Sequence, residues 1–236
     1  MPQCHNCGNQ LTGAEQHCPA CGQPTDSPPP ALEPSLARAP ASLPLSDYFK
    51  TGWGLFKQYP GGFVGFCLLN LVIQVALNRT HYVGAVAAAV VGTPLFMGNF
   101  IVSAKLLQGQ TPEFRDFFAG FQFFLPLLLL SLVTCLFIVI GTILLIVPGV
   151  YLFVAYLFAS YLVVDRRQDF WPAMELSRRT INPRWFGYFA FTLLLVLLNL
   201  AGALLLGLGL LVTIPLSFCV VTAAYAETFG LQSKEY

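Results

Sequence analysis

The sequence predicts an all-α integral membrane protein: six transmembrane helices in three hairpin repeats with interfacial helices, behind a small cysteine-bearing N-terminal module. Three observations lead there. Only 10% of the 236 residues are charged and 56% are hydrophobic, whereas soluble domains carry about a quarter charged residues. Mean hydropathy is +0.68. Two stretches, Phe117 to Val164 and Trp185 to Ala226, contain no Asp, Glu, Lys or Arg. A bilayer core takes about 20 apolar residues per helix, so each stretch holds two spans. A core helix in water would keep a polar face, and these stretches show none.

The chain begins with residues 1–23, a polar segment holding four of the seven cysteines. Cys4-His5-Asn6-Cys7-Gly8 and Cys18-Pro19-Ala20-Cys21-Gly22 are two C-x-x-C knuckles with ten residues between them. Two thiolates separated by two residues grip one ion from a tight turn, and the following Gly lets the backbone fold over the sulfurs. Two knuckles complete a closed tetrahedral shell, so Cys4, Cys7, Cys18 and Cys21 are expected to hold a structural Zn2+ with no position open for catalysis. So short a segment cannot bury enough surface to fold alone, and metal binding would supply its folding energy. Paired disulfides would conflict with the cytosolic side assigned below, and a thioredoxin-like redox pair lacks the strand–helix context it requires. His5 and His17 read as loop residues. Residues 24–44, rich in Pro, Ala and Ser, form an extended tether, and the membrane domain follows over 45–230, with a cytoplasmic tail at 231–236.

Within the membrane domain the predicted spans are Gly61–Leu77, Tyr82–Leu107, Phe123–Val147, Gly149–Val164, Trp185–Leu206 and Leu208–Thr228. Each pair is preceded by an amphipathic segment, Ser46–Gln58, Thr111–Phe121 or Asp169–Ile181, expected to lie flat at the headgroups. In the first, Tyr48, Phe49, Trp53 and Phe56 recur at helical spacing; in the second, Phe114, Phe117, Phe118 and Phe121 do. Pro94, Pro148 and Pro215 mark the second span of each pair, which suggests one unit used three times. With six spans, one side receives Arg38, Lys50, Lys57, Lys105, Arg115, Arg166, Arg167, Arg178, Arg179, Arg184 and Lys234, and the other only Arg79. This positive-inside bias puts both termini in the cytoplasm of an inner-membrane, multi-pass protein. No secretory signal is read at the N-terminus, so the spans are expected to direct insertion.

Net charge is +1, which gives no field for nucleic acid. The basic group Arg166, Arg167, Arg178, Arg179 and Arg184 is the candidate site for anionic lipid headgroups, at about 1 kcal/mol per charge. Lys105 and Glu227 fall near cytoplasmic span ends and read as snorkelling. Asn70, Gln74, Asn99, Ser131, Thr134 and Asn199 lie inside apolar helices, as interhelical hydrogen-bonding groups or as the lining of a path. Cys67, Cys135 and Cys219 read as packing residues. The spans contain no paired carboxylates, His cluster or Ser–His set, so no enzyme is expected.

Residues Cys4 to Gly22 resemble the short zinc ribbons that open many bacterial membrane proteins. Ile143 to Tyr151, with Pro148-Gly149, then Ala173 to Ser177 and Arg184-Trp185, resemble an uncharacterised superfamily of bacterial multi-spanning proteins. That superfamily includes the membrane domain of some glycerophosphodiester phosphodiesterases, and the likeness covers Phe49 to Phe229. It implies a six-helix domain of no agreed activity, and with no phosphodiesterase catalytic domain read in the sequence that activity is not expected here. The expected function is non-enzymatic: lipid organisation, or recruitment of a cytoplasmic protein partner through the zinc ribbon. The alternative is a transporter or channel for a neutral or lipidic substrate.

Overall fold

The computed structural model describes residues 43–78, 81–144, 146–205 and 207–232, with Ala20 alone before them; for 78 and 81–89 only the backbone is described. The cysteine knuckles and the tether lie outside these residues. Among the described residues nine α-helices follow in order: α1 Leu45–Gln58, α2 Pro60–Asn78, α3 His81–Leu107, α4 Phe124–Leu144, α5 Ile146–Ala155, α6 Ala159–Arg166, α7 Phe170–Ile181, α8 Trp185–Leu204 and α9 Leu210–Phe229. Two 3-10 helices, Phe114–Phe123 and Asn182–Arg184, join them. The described residues contain six helices or helical runs long and apolar enough to cross a membrane. Their outward faces fit hydrocarbon: Ile143, Leu144, Ile146 and Val147 are each more than 70% exposed. So much apolar surface cannot be left in water.

Neighbouring helices pack as hairpins, α2 on α3, α4 on α5 and α8 on α9. At two of the turns small residues bring the backbones together: Gly141 faces Gly149, and Gly202 faces Gly209 and Thr213. α3 is the most central helix, packing on α1, α2, α4, α6, α9 and the first 3-10 helix, and α9 packs on α1, α2, α3 and α8.

The three amphipathic segments are present, but they pack against protein. In α1 the buried stripe is Tyr48, Gly52, Leu55 and Phe56, the i, i+4, i+7, i+8 set of one helical face. Trp53, predicted on that face, is 45% exposed; it stacks on Phe56 and carries Lys57 Nζ 5.9 Å from its ring centre. A methyl on Gly52 would meet the Val220 backbone at 2.8 Å, so α1 lies directly on α9.

The second segment is 3-10 rather than α-helical. Three residues per turn align positions three apart, and Phe117, Gly120 and Phe123 are buried together. Methyls at Gly98 and Gly120 would collide with the carbonyls of Phe117 and Pro94, so this helix runs against the middle of α3. Phe117 also stacks on Phe66 of α2 at 4.4 Å.

The fourth span is broken. α5 ends at Ala155 and α6 starts at Ala159, with a turn over Tyr156–Phe158. In hydrocarbon a backbone break needs partners within the protein. Ser177 of α7, fully buried, supplies them: its Oγ donates to the Ala155 carbonyl at 2.8 Å and accepts the Phe158 N–H at 3.2 Å. α7 therefore serves as a splint on the break.

Candidate functional site

The predicted metal ligands Cys4, Cys7, Cys18 and Cys21 lie outside the described residues. Among the described residues no group of three His, Cys, Asp or Glu side chains could hold a metal ion. Of the remaining cysteines, Cys219 is buried, with Sγ 3.4 Å from Ser103 Oγ, while Cys135 is exposed.

The five arginines proposed for lipid headgroups are not equivalent. Arg178 reaches Glu175 through Nε and Nη2, both at 2.8 Å, and Arg179 Nε reaches the same carboxylate at 2.6 Å. All three stand on α7, the charged helix that precedes the α8 span. The hydrogen bonds from Arg178 and then Arg179 hold Glu175 down to about 2, well below its ordinary 4.5. These two charges are half-balanced before any lipid arrives.

Arg166 is committed elsewhere. Its Nη2 donates to the Phe229 carbonyl at 3.0 Å, and its guanidinium lies 5.6 Å from the Phe229 ring centre. A cation at the last carbonyls of α9 opposes the negative end of that helix. Asp165 beside it is 3% exposed and accepts the Tyr225 hydroxyl at 2.9 Å and the Gln232 N–H at 3.1 Å. The end of α6 thus clamps the end of α9. Arg167 takes a left-handed turn, φ 51°, that sets its guanidinium 5.9 Å from the Phe123 ring centre.

Arg184 is placed differently. It is the last residue of the short 3-10 turn, just ahead of α8, and it lines an open pocket of about 750 Å3 with Leu43, Leu45, Tyr151, Asn182 and Trp185. Its Nη1 is buried and has no hydrogen-bond partner among the described residues. Neighbouring polar groups are ordered: Tyr151 donates to Asn182 Oδ1 at 3.1 Å, and Trp185 Nε1 donates to the Tyr151 carbonyl at 3.3 Å. Tyr48 of α1, 2% exposed, has a hydroxyl equally without a partner among the described residues. Burial pushes its phenol above the ordinary range, Glu227 adds to the shift, and Arg184 opposes it. Arg184 brings a guanidinium donor to a pocket that Tyr151, Trp185 and Phe186 also line. Such a set suits a phosphate oxygen at the headgroup level.

Lys105 does not snorkel. Its Nζ lies 2.9 Å from Asp116, with the two side chains 16% and 10% exposed. Asp116 also accepts the Glu113 N–H at 2.8 Å, so one carboxylate fixes both the end of α3 and the start of the 3-10 helix. The polar residues inside spans divide. Asn199 of α8 donates to Ser217 of α9 at 2.7 Å, an interhelical bond of the expected kind. Ser131 turns back on the Leu128 carbonyl of its own helix.

Asp165 and Ser177 were not singled out as functional groups from the sequence. Neither residue lies in a local pattern that announces its partners, which stand on other elements. Comparison of the chain with family models, curated proteins and solved structures found no match.

Proposed function

We propose that this is a non-enzymatic, multi-pass protein of the bacterial inner membrane that engages anionic lipid on its cytoplasmic face and presents a zinc ribbon to a cytoplasmic partner. The observation that carries the lipid reading is Arg184, a cation with a buried, unpartnered Nη1 in a cavity of about 750 Å3. Arg166, Arg167, Arg178 and Arg179 give that face its positive charge and its helix contacts, while Arg184 binds the phosphate. The positive-inside distribution supports the cytoplasmic placement of both termini. The spacing of Cys4, Cys7, Cys18 and Cys21 supports a closed, structural Zn2+ site on a Pro-rich tether, free to meet a partner. The three helical hairpins, each entered through an amphipathic helix, support descent from one repeated unit.

The lipid reading is tested by purifying wild type, Arg184→Gln and the double variant Arg178→Gln/Arg179→Gln from the same membranes. Retained phosphatidylglycerol is then counted by native mass spectrometry. Loss of one charge–phosphate contact, about 1 kcal/mol, should lower retention about fivefold in Arg184→Gln. The double variant should retain lipid nearly as wild type does. Equal retention in wild type and Arg184→Gln would overturn the assignment. Crosslinking with and without residues 1–23 tests the ribbon: an unchanged set of captured proteins would remove its recruiting role.

A further inference from the structure

We propose that a second cavity, between α2, α3 and α9, binds the head of an uncharged, hydroxyl-bearing lipid of the diacylglycerol or long-chain alcohol class. The cavity, about 180 Å3, shares no residue with the Arg184 site and is lined from α2 by Cys67, Asn70 and Gln74, from α3 by Phe96 and Asn99, and from the start of α9. It is comparable to the engineered cavity of about 150 Å3 that takes up benzene. A glycerol-sized head fits such a volume and a whole lipid does not. Leu71 and Phe96 at its wall are 52% and 37% exposed, so the acyl chains would continue along the outer faces of α2 and α3 into the bilayer.

The chemistry of the wall specifies the head. Asn70 of α2 and Asn99 of α3 are 6% and 3% exposed and both line the cavity. Their side-chain carbonyl oxygens have no hydrogen-bond partner among the described residues. A buried acceptor left unmatched costs about 1–3 kcal/mol, and a lipid hydroxyl donated to it recovers that cost. Pro215 of α9, Leu211 one turn before it and the Gln74 side chain of α2 complete the wall. Among the described residues no Asp, Glu, Lys, Arg or His lines this space. A phosphate or ammonium would forfeit its hydration here without a counter-charge, so a neutral donor is selected.

The test uses the full chain in phosphatidylcholine nanodiscs with a photoactivatable diacylglycerol. Crosslinks should map to α2, α3 or α9, and unlabelled dioleoylglycerol should displace the probe about tenfold better than its acetylated, hydroxyl-free analogue. Asn70→Leu/Asn99→Leu should lower labelling about fivefold, the equivalent of one buried hydrogen bond. Leu211→Trp, which fills the space and keeps both asparagines, should abolish labelling of these helices. If the asparagine variant fails to fold, the hydroxyl preference of wild type and the Leu211→Trp result decide. Equal displacement by the acetylated analogue, or full labelling of Leu211→Trp, would overturn the proposal.

Discussion

Ser177 repairs a gap that its own helix does not share. The hydroxyl occupies both the Ala155 carbonyl and the Phe158 N–H, and Ser177→Ala leaves both without a partner inside a fully buried site. Each such group costs about 1–3 kcal/mol. Thermal unfolding in detergent should show Ser177→Ala strongly destabilised, with Ser177→Thr recovering part of the loss through its own hydroxyl. Lys105 and Asp116 make a second residue-level case. Asp116→Asn strands a mostly buried ammonium, and such breaks cost about 3–5 kcal/mol. Lys105→Met/Asp116→Leu removes both charges and should unfold at a higher temperature than Asp116→Asn alone. None of these pairings could be read from the sequence, because each joins residues on separate elements. The Arg cluster shows the same limit. Five cations on one face were legible, but which of them Glu175, Phe229 and Phe123 occupy depends on side-chain reach.

At the scale of elements, α7 is held by charge as well as by packing. Glu175 is depressed from 4.5 to about 2 by its two arginines. Its contribution is therefore complete above about pH 4.5 and disappears as pH falls toward 2. Unfolding curves between pH 6 and pH 2.5 should converge for wild type and Glu175→Gln at the acid end and separate above about pH 4.5, wild type being the more stable. A third of the Glu175 side chain is exposed and Arg179 more so, so solvent screening keeps the separation small. The spans were legible because hydrophobic length survives any packing arrangement. The break at Tyr156–Phe158 was not, since an apolar run without Gly or Pro carries no stop signal. The 3-10 form of Phe114–Phe123 was hidden for a related reason: phenylalanines spaced by three and four satisfy either period, and the glycine contacts with α3 choose between them.

For the molecule as a whole, the proposed zinc head and the membrane domain should behave as separate cooperative units. A strong chelator added to the full chain should release about one Zn2+ per protein and leave the detergent-phase melting of the six-span domain unchanged. A coincident loss of both would join them into one unit. The candidate lipid site was half legible. Its cationic face followed from topology, whereas the pocket beside Arg184, and the buried unpartnered nitrogens of both Arg184 and Arg166, required knowing what surrounds each guanidinium. Composition pointed to hydrocarbon as the solvent, and the exposed leucines and isoleucines of α4 and α5 agree with it.

The seat of α1 on α9, closed over Gly52 and Val220, also orders events during synthesis. α1 emerges from the ribosome first, yet its mate is inserted only after every intervening hairpin has entered the bilayer. Until then α2 and α3, which also pack on α1, are the partners its apolar stripe can meet. Among the described helices the first made and the last made are thus joined directly.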